Sequence, residues 1–282
     1  MIPFYKNHID YISSHAVDPD KRRYALKEEG PRHYIDIDHY GQHPYPLLPR
    51  IYDSAVALYS EDTIRSYGIV PWWVLIMQSR LTNAFREKNA NKILKLSAEI
   101  GHYISDAHVP LHACHNHNGQ YSGQHGIHGF WESRVPELLA EKQFNFWIDD
   151  IVYIKNPSDF IWNRVLESAA AADSVLSIEK SLSEAFPSDQ KYAFEIRNGI
   201  VVRQYSSLYT IRYNELLNGM VERRMRQSIY AVASFWYTAW VNAGQPDLNQ
   251  LLLNEWSEEE KKEADELNQL WKEGKSKSRI CE

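Results

Sequence analysis

NKILKLSAEIGHYISDAH, residues 91–108, decides the class of fold. Its apolar residues Ile93, Leu96, Ile100, Ile104 and Ala107 recur at steps of three and four, one stripe along a helix, and Pro110 brings that helix to an end. The same period runs through 52–66, 72–88, 160–176, 191–217 and 220–242, with almost no alternation of strand type. No Asn-Gly hairpin signal is read between these segments, and Asn118-Gly119 falls in a histidine-rich loop. The expected class is therefore all-α.

Composition bounds the rest. A chain of 282 residues, 44% hydrophobic, buries a substantial core as one large domain or two smaller ones. A net charge of -6 and a pI near 6.1 give no general basic field, so tight salt-driven binding to duplex nucleic acid is not expected. The most apolar stretch, 231–241, is far shorter than the roughly 20 residues that cross a bilayer, so no transmembrane segment is expected. The opening MIPFYKNHIDYISS lacks a basic segment followed by an apolar run, so it does not read as a signal peptide. Cys114 and Cys281 are too few and too far apart for a disulfide framework. Cys114 stands among histidines and reads either as a ligand or as a buried apolar thiol, the commoner fate.

Glycine and proline concentrate in 30–50 and 109–129, and no repeat is evident. The end of the chain, WSEEEKKEADELNQLWKEGKSKSRICE, reads as a solvated helix and a frayed basic tail with no chemistry of its own. It is set apart as a charged extension, 246–282, from a helical body over 1–245.

The chemistry begins inside the deciding stretch. His102 and Asp106 are one helical turn apart and can grip one metal together. Alone, such a pair is more often part of a solvated face. After the helix, however, come His108, His112, His115, His117, His125 and His128, six of the 12 histidines, and then Glu132. His128 and Glu132 repeat the spacing of four at the start of a second helix, and imidazole with carboxylate is the donor mixture zinc prefers. His108, His115, His117 and His125 are left as supporting or exposed residues. Upstream, HYIDIDHYG offers His33, Asp36, Asp38 and His39, and VDPDK offers Asp18 and Asp20, each acid more often a turn former than a ligand.

GHYISDAHVPLH followed by HGFWE resembles the superfamily of bacterial zinc-dependent phospholipases C and fungal and plant single-strand-specific zinc nucleases. The shared elements are Gly101-His102, Asp106, Pro110-Leu111-His112, His128 and Glu132, with His33-Tyr34 matching a His-aromatic pair in an acidic loop. The resemblance implies a single all-α domain over about 1–245 with a zinc cleft. It assigns one zinc to His33, His102, Asp106 and Asp18, with Asp20 as the alternative to Asp18, and another to His112, His128 and Glu132. A third zinc of that family is held by an N-terminal tryptophan and a nearby histidine. Met1, Ile2 and Pro3 offer no such tryptophan, and His8 and His15 stand too close to Asp18. The expectation is two zinc sites here against three in a complete family member, with activity weak or absent in this form. By resemblance alone, such a protein works in the periplasm or outside the cell.

The implied reaction is hydrolysis of a phosphoester, with water activated near neutral pH and cations neutralising charge on the transferred group. Asp106 would bridge two zincs, and Asp18 could act as a base. The substrate is a phospholipid headgroup or single-stranded nucleic acid, and no obligate protein partner is expected. Tyr40, Tyr45, Tyr121, Phe130 and Trp131 lie near the motifs and could stack on a base or face a choline group, although core packing is the commoner role. The reading from another class is a non-catalytic metalloprotein of the same fold, in which zinc is structural.

Overall fold

A computed structural model describes residues 1–42, 45, 47–197, 199–249, 251 and 258–277. Three short helices open the chain, α1 (Ile2–Asn7), α2 (Ile9–His15) and α3 (Asp18–Ala25), followed by 3-10 turns at Lys27–Arg32 and Ile37–Tyr40. Next come α4 (Tyr52–Tyr59), α5 (Glu61–Ser66), α6 (Val70–Arg86) and α7 (Ala90–Asp106), then a 3-10 turn at Pro110–Ala113. There follow α8 (Ile127–Gly129), which runs through a π turn (Phe130–Arg134) into α9 (Val135–Gln143), and the long α10 (Pro157–Ala185). A hairpin of β1 (Tyr192–Arg197) and β2 (Ile200–Tyr205) leads to α11 (Ser207–Leu216), α12 (Met220–Asn242) and α13 (Glu258–Glu273). The class is all-α apart from this hairpin. No helix among the described residues is long and apolar enough to cross a membrane.

The deciding stretch forms α7. Its first turn is capped by Asn89, whose side-chain oxygen accepts from the Lys92 N–H (3.0 Å). Its stripe is sealed, with Ile93, Ile100 and Ile104 fully buried. Each such side chain contributes roughly 1.5–3 kcal/mol by leaving water. Against α7 pack α6, through Trp73, Met77, Leu81 and Phe85, and α12, through Phe235 and Ala239, which together build one core. A second core gathers Leu111, Ile127, Phe130, Trp131 and Val135 with Tyr205, Tyr209 and Tyr213. α10 serves both, giving Ile161, Trp162 and Val165 to the first and Val175 and Leu182 to the second. The C-terminal end of α7 emerges where the two cores meet.

That end is buried, so its carbonyls need donors. The Ser168 hydroxyl donates to the Ala107 carbonyl (2.7 Å) and Arg224 Nε to the His108 carbonyl (2.8 Å). The cation also suits the negative end of the helix dipole.

Two expectations are corrected. Residues 191–217 are not one helix: β1 and β2 pair antiparallel from Tyr192↔Tyr205 to Arg197↔Ile200, and helix resumes only at Ser207. The sequence carries Asn198-Gly199 between two segments rich in Ile, Val, Phe and Tyr, the dipeptide that favours hairpin turns. Gly199 adopts φ +79, as such turns require. The segment 52–66 is also two helices, broken at Ser60 (φ +72), whose hydroxyl caps α5 by accepting from the Thr63 N–H (3.3 Å).

The C-terminal extension does contain a helix, and α13 lies along α3, with the Lys21 ammonium 5.6 Å from the Trp271 ring and the Lys277 N–H on the Arg23 carbonyl (3.1 Å). Cys281 and the tail from 278 lie outside the described residues.

Candidate metal centre

Four donors converge at the end of α7. His102 and Asp106 come from its last turns, Asp20 from α3, and His33 from just after the Lys27–Arg32 turn. His33 Nδ1 lies 3.0 Å from Asp106 Oδ2 and 3.1 Å from His102 Nε2, and His102 Nε2 lies 3.4 Å from Asp106 Oδ2. Asp20 Oδ1 stands 3.8 Å from His33 Nδ1 and 3.6 Å from His102 Nε2. Asp20, His33 and His102 are close enough together to hold one ion at the roughly 2.0–2.2 Å coordination lengths of zinc with nitrogen and carboxylate oxygen, with Asp106 beside His33 and His102.

Asp18 is not among them. It opens α3, where His15 Nδ1 (2.6 Å) and Lys21 Nζ (2.9 Å) occupy its carboxylate. Burial pushes its pKa up, but these two partners outweigh that and hold it below the ordinary value. It lines a separate cavity of about 290 Å³ against α13, whose lining includes none of the donors. Residues two apart on a helix point to different faces, so the helix that turns Asp20 toward His33 turns Asp18 away. The preference for Asp18 is thus corrected to Asp20.

The second group is local. His112 follows the Pro110 turn, whose path is fixed by the Val109 N–H on the Asp106 carbonyl (3.0 Å) and the His112 N–H on the Val109 carbonyl (3.1 Å). His112 Nε2 lies 3.3 Å from Glu132 Oε2, and His128 Nε2 lies 3.0 Å from Glu132 Oε1. Glu132 sits in the π turn because Pro136 has no N–H for the Glu132 carbonyl, and the Val135 N–H bonds back to Phe130 instead. Asp106 lies between the groups: Oδ2 faces His33 and His102, and Oδ1 lies 3.9 Å from His112 Nδ1, the nitrogen turned away from Glu132.

The tautomers follow from outer contacts. His112 Nδ1 meets the His33 carbonyl (2.5 Å) and His128 Nδ1 meets the His117 carbonyl (3.3 Å). A carbonyl only accepts, so each Nδ1 donates its proton there and each Nε2 faces Glu132. His128 Nε2 is buried without a hydrogen-bond partner among the described residues, as a ligand nitrogen would be. His33 points Nδ1 inward, and its Nε2 stands 3.6 Å from Glu29 Oε1. Glu29, fully buried, is held by Arg22 Nε (3.3 Å), by Arg32 and by the Tyr103 hydroxyl. A carboxylate behind a ligating imidazole orients the ring and raises its basicity. Sequence reading missed Glu29, although Glu29 and His33 form a third acid–histidine pair four apart.

The electrostatics call for a cation. Burial, then the negative charges of Asp20 and Glu132, drives the Asp106 carboxyl well above its ordinary pKa. Asp106 also ends α7, where the helix dipole is negative. Burial raises Glu132 too, but the His128 and His112 rings pull it well below the usual range. Burial lowers His33 to about 4, keeping the imidazole neutral as a ligand must be. Three carboxylates and four imidazoles in one cluster form a donor set that could hold metal ions, and the partial exposure of Asp20 (38%) and Glu132 (25%) opens it to solvent.

The other candidates do different work. His108 is buried and donates from Nδ1 to the Ile104 carbonyl (2.7 Å). Asp36 and Asp38 hold the histidine-rich loop, Asp38 by accepting from the His115 N–H (3.0 Å) and Asp36 beside His115 Nδ1 (3.4 Å). Gly119 (φ +69) makes the tight turn of that loop, where an added Cβ would stand 2.4 Å from the Gln124 carbonyl. His39 stacks on Tyr67, His115 on Tyr121, and His125 is exposed. Tyr40, Phe130 and Trp131 are core residues, Tyr45 is half-buried, and Tyr121 is exposed. Cys114 is buried in the second core with Leu111 and Phe130.

Comparison of the chain with protein-family models, with curated proteins and with solved structures finds no match.

Proposed function

We propose that this chain is a zinc-dependent hydrolase of phosphoester bonds, akin to the zinc-dependent phospholipases C and single-strand-specific zinc nucleases that its motifs resemble. One observation carries the reading: two donor groups, Asp20/His33/His102 and His112/His128/Glu132, lie close together with Asp106 between them, its carboxylate facing His33 and His102. The nitrogen and oxygen donors suit zinc, a borderline ion, better than magnesium or calcium, which prefer oxygen alone. Zinc ions bound there supply Lewis acidity, lowering the pKa of water to near neutral and neutralising charge on a phosphoryl group.

The chain's own residues then have distinct tasks. Asp20, His33, His102 and Asp106 hold one ion; Glu29 fixes the His33 ring. His112, His128 and Glu132 hold the other and leave a position for substrate, while the second core beneath Phe130 and Trp131 keeps Glu132 in place. Asp106, between the two groups, would add a carboxylate to the ion held by His33 and His102.

A second reading, a non-catalytic zinc protein of the same fold, is favoured by one feature: the first group supplies four ligands, the number a structural zinc takes. Elemental analysis and turnover of a choline phosphodiester and of single-stranded oligonucleotide decide between them. The hydrolase reading expects two zincs and turnover that a chelator abolishes and zinc restores. Two zincs without turnover on either substrate would leave the structural reading, and no bound metal after zinc addition would overturn both.

A further inference from the structure

The β1–β2 hairpin is tied down at its root and bare at its tip. At the root Tyr205 is buried, stacks on Phe130 (centroids 3.8 Å apart) and accepts at its carbonyl from Arg134 Nε (3.1 Å). Arg134 Nη1 also donates to Glu195 (3.0 Å). Phe130 and Arg134 flank Glu132 on the π turn, so the segment that supplies a metal-group carboxylate also grips the hairpin.

Strand alternation puts Tyr192, Phe194 and Ile196 on one face with Val201, Arg203 and Tyr205. That face is covered at Tyr205 and then leaves the body of the protein. Phe194 is 74% exposed, Ile196 78% and Val201 64%; Ile200, paired with Arg197 on the opposite face, is 67% exposed. A two-stranded ribbon gains no stability from baring such side chains, so they mark a contact outside the chain.

The charge on this face has one sign. Its single ionic side chain is Arg203, resting 4.4 Å from the Tyr192 ring. The acid of β1, Glu195, lies on the opposite face, where Arg134 and Arg197 neutralise it. Four side chains at an apex cannot supply the roughly 800 Å² per partner of a stable protein interface. An apolar tip with a cation and no acid matches an anionic lipid interface instead.

We infer that the hairpin is a lipid-surface anchor: Phe194, Ile196 and Val201 enter the boundary between headgroups and acyl chains, and Arg203 meets anionic headgroups. The inference rests on the proposed hydrolase reading for its choice of substrate class, a phospholipid rather than a nucleic acid, brought to the Glu132 side of the site.

The test is co-sedimentation of the zinc-loaded full chain with vesicles of phosphatidylcholine, with and without phosphatidylserine. The variants are Phe194→Ser/Ile196→Ser/Val201→Ser together, Ile196→Ser alone and Arg203→Glu. The native chain is expected to bind vesicles that contain phosphatidylserine, and the triple variant to bind on the order of a hundredfold more weakly. Arg203→Glu should weaken binding about tenfold on anionic vesicles and leave the neutral ones unchanged. Circular dichroism and turnover of a soluble choline phosphodiester should match the native chain in every variant. Absence of vesicle binding by the native chain, or equal binding by the triple variant and Ile196→Ser, overturns the anchor. So does a native dimer that the triple variant makes monomeric without any vesicle binding. Vesicle binding of the expected pattern with no soluble turnover upholds the anchor and removes the hydrolase; soluble turnover without vesicle binding does the reverse.

Discussion

The two donor groups differ in how the chain assembles them. The second group, His112, His128 and Glu132, comes from one short stretch and offers three ligands. The first draws Asp20 and His33 from distant segments onto His102 and Asp106 and offers four. Behind the first stands a buried wall of Glu29, Arg22, Arg32 and Tyr103; behind the second stand two backbone carbonyls and the aromatic core. A full ligand set with a rigid outer shell holds an ion, and an incomplete one leaves room for chemistry. On the proposed reading, the contrast would assign holding to the first group and reaction to the second, with Asp106 lying between them.

The largest effect should therefore follow from breaking that link. Asp106→Asn keeps the shape of the side chain but removes the carboxylate charge that lies between the two groups. Turnover of a phosphodiester is expected to fall on the order of a thousandfold, several kcal/mol of transition-state stabilisation. Zinc per chain should drop below two. Retained turnover at full zinc content would show that the groups act separately, and the contrast between holding and reacting would lose its basis.

How much of this was legible depended on distance along the chain. The pairs His102/Asp106 and His128/Glu132 follow from helical spacing, which is local, and His112 from the family resemblance of Pro110-Leu111-His112. Asp20 was not separable from Asp18, because which acid faces His33 depends on how α3 is rotated against α7, a matter of tertiary packing. The stripe of α7 was legible because three fully buried isoleucines fall in phase with the helix. The hairpin was hidden by a segment, 191–217, whose tyrosines Tyr205, Tyr209 and Tyr213 continue a four-residue step from the strand into the helix that follows. There the Asn198-Gly199 dipeptide was the stronger local signal, and periodicity prevailed over it only on paper.

The next effect sharpens the first group alone. Asp20→Ala should weaken zinc binding at that group by at least the 10–100-fold typical of losing even an outer-shell partner, with the second group still loaded. Asp18→Ala is the control: it removes the partner of His15 and Lys21, a half-exposed ion pair that contributes about 0–1 kcal/mol, and leaves zinc content unchanged. Zinc titration by calorimetry reads both. The opposite ranking would return the ligand role to Asp18 and mean that α3 sits rotated from the position described.

The smallest effect probes the wall itself. Glu29→Gln leaves every ligand in place and alters only what stands behind His33, so zinc affinity at the first group should fall about tenfold while the second group is untouched. The substitution also leaves Arg22 and Arg32 facing a neutral amide inside the protein, and removing one partner of a buried pair costs about 3–5 kcal/mol. Stability loss and affinity loss must therefore be separated. Tyr103→Phe does so, because it removes a hydroxyl donor to Glu29 and keeps the carboxylate opposite both arginines. If Glu29 acts by orienting and polarising His33, Glu29→Gln lowers affinity at the first group even when measured well below its melting temperature, and Tyr103→Phe lowers it less. If both variants melt earlier yet bind zinc at the first group like the native chain, Glu29 serves the fold alone and the two groups differ only in ligand number.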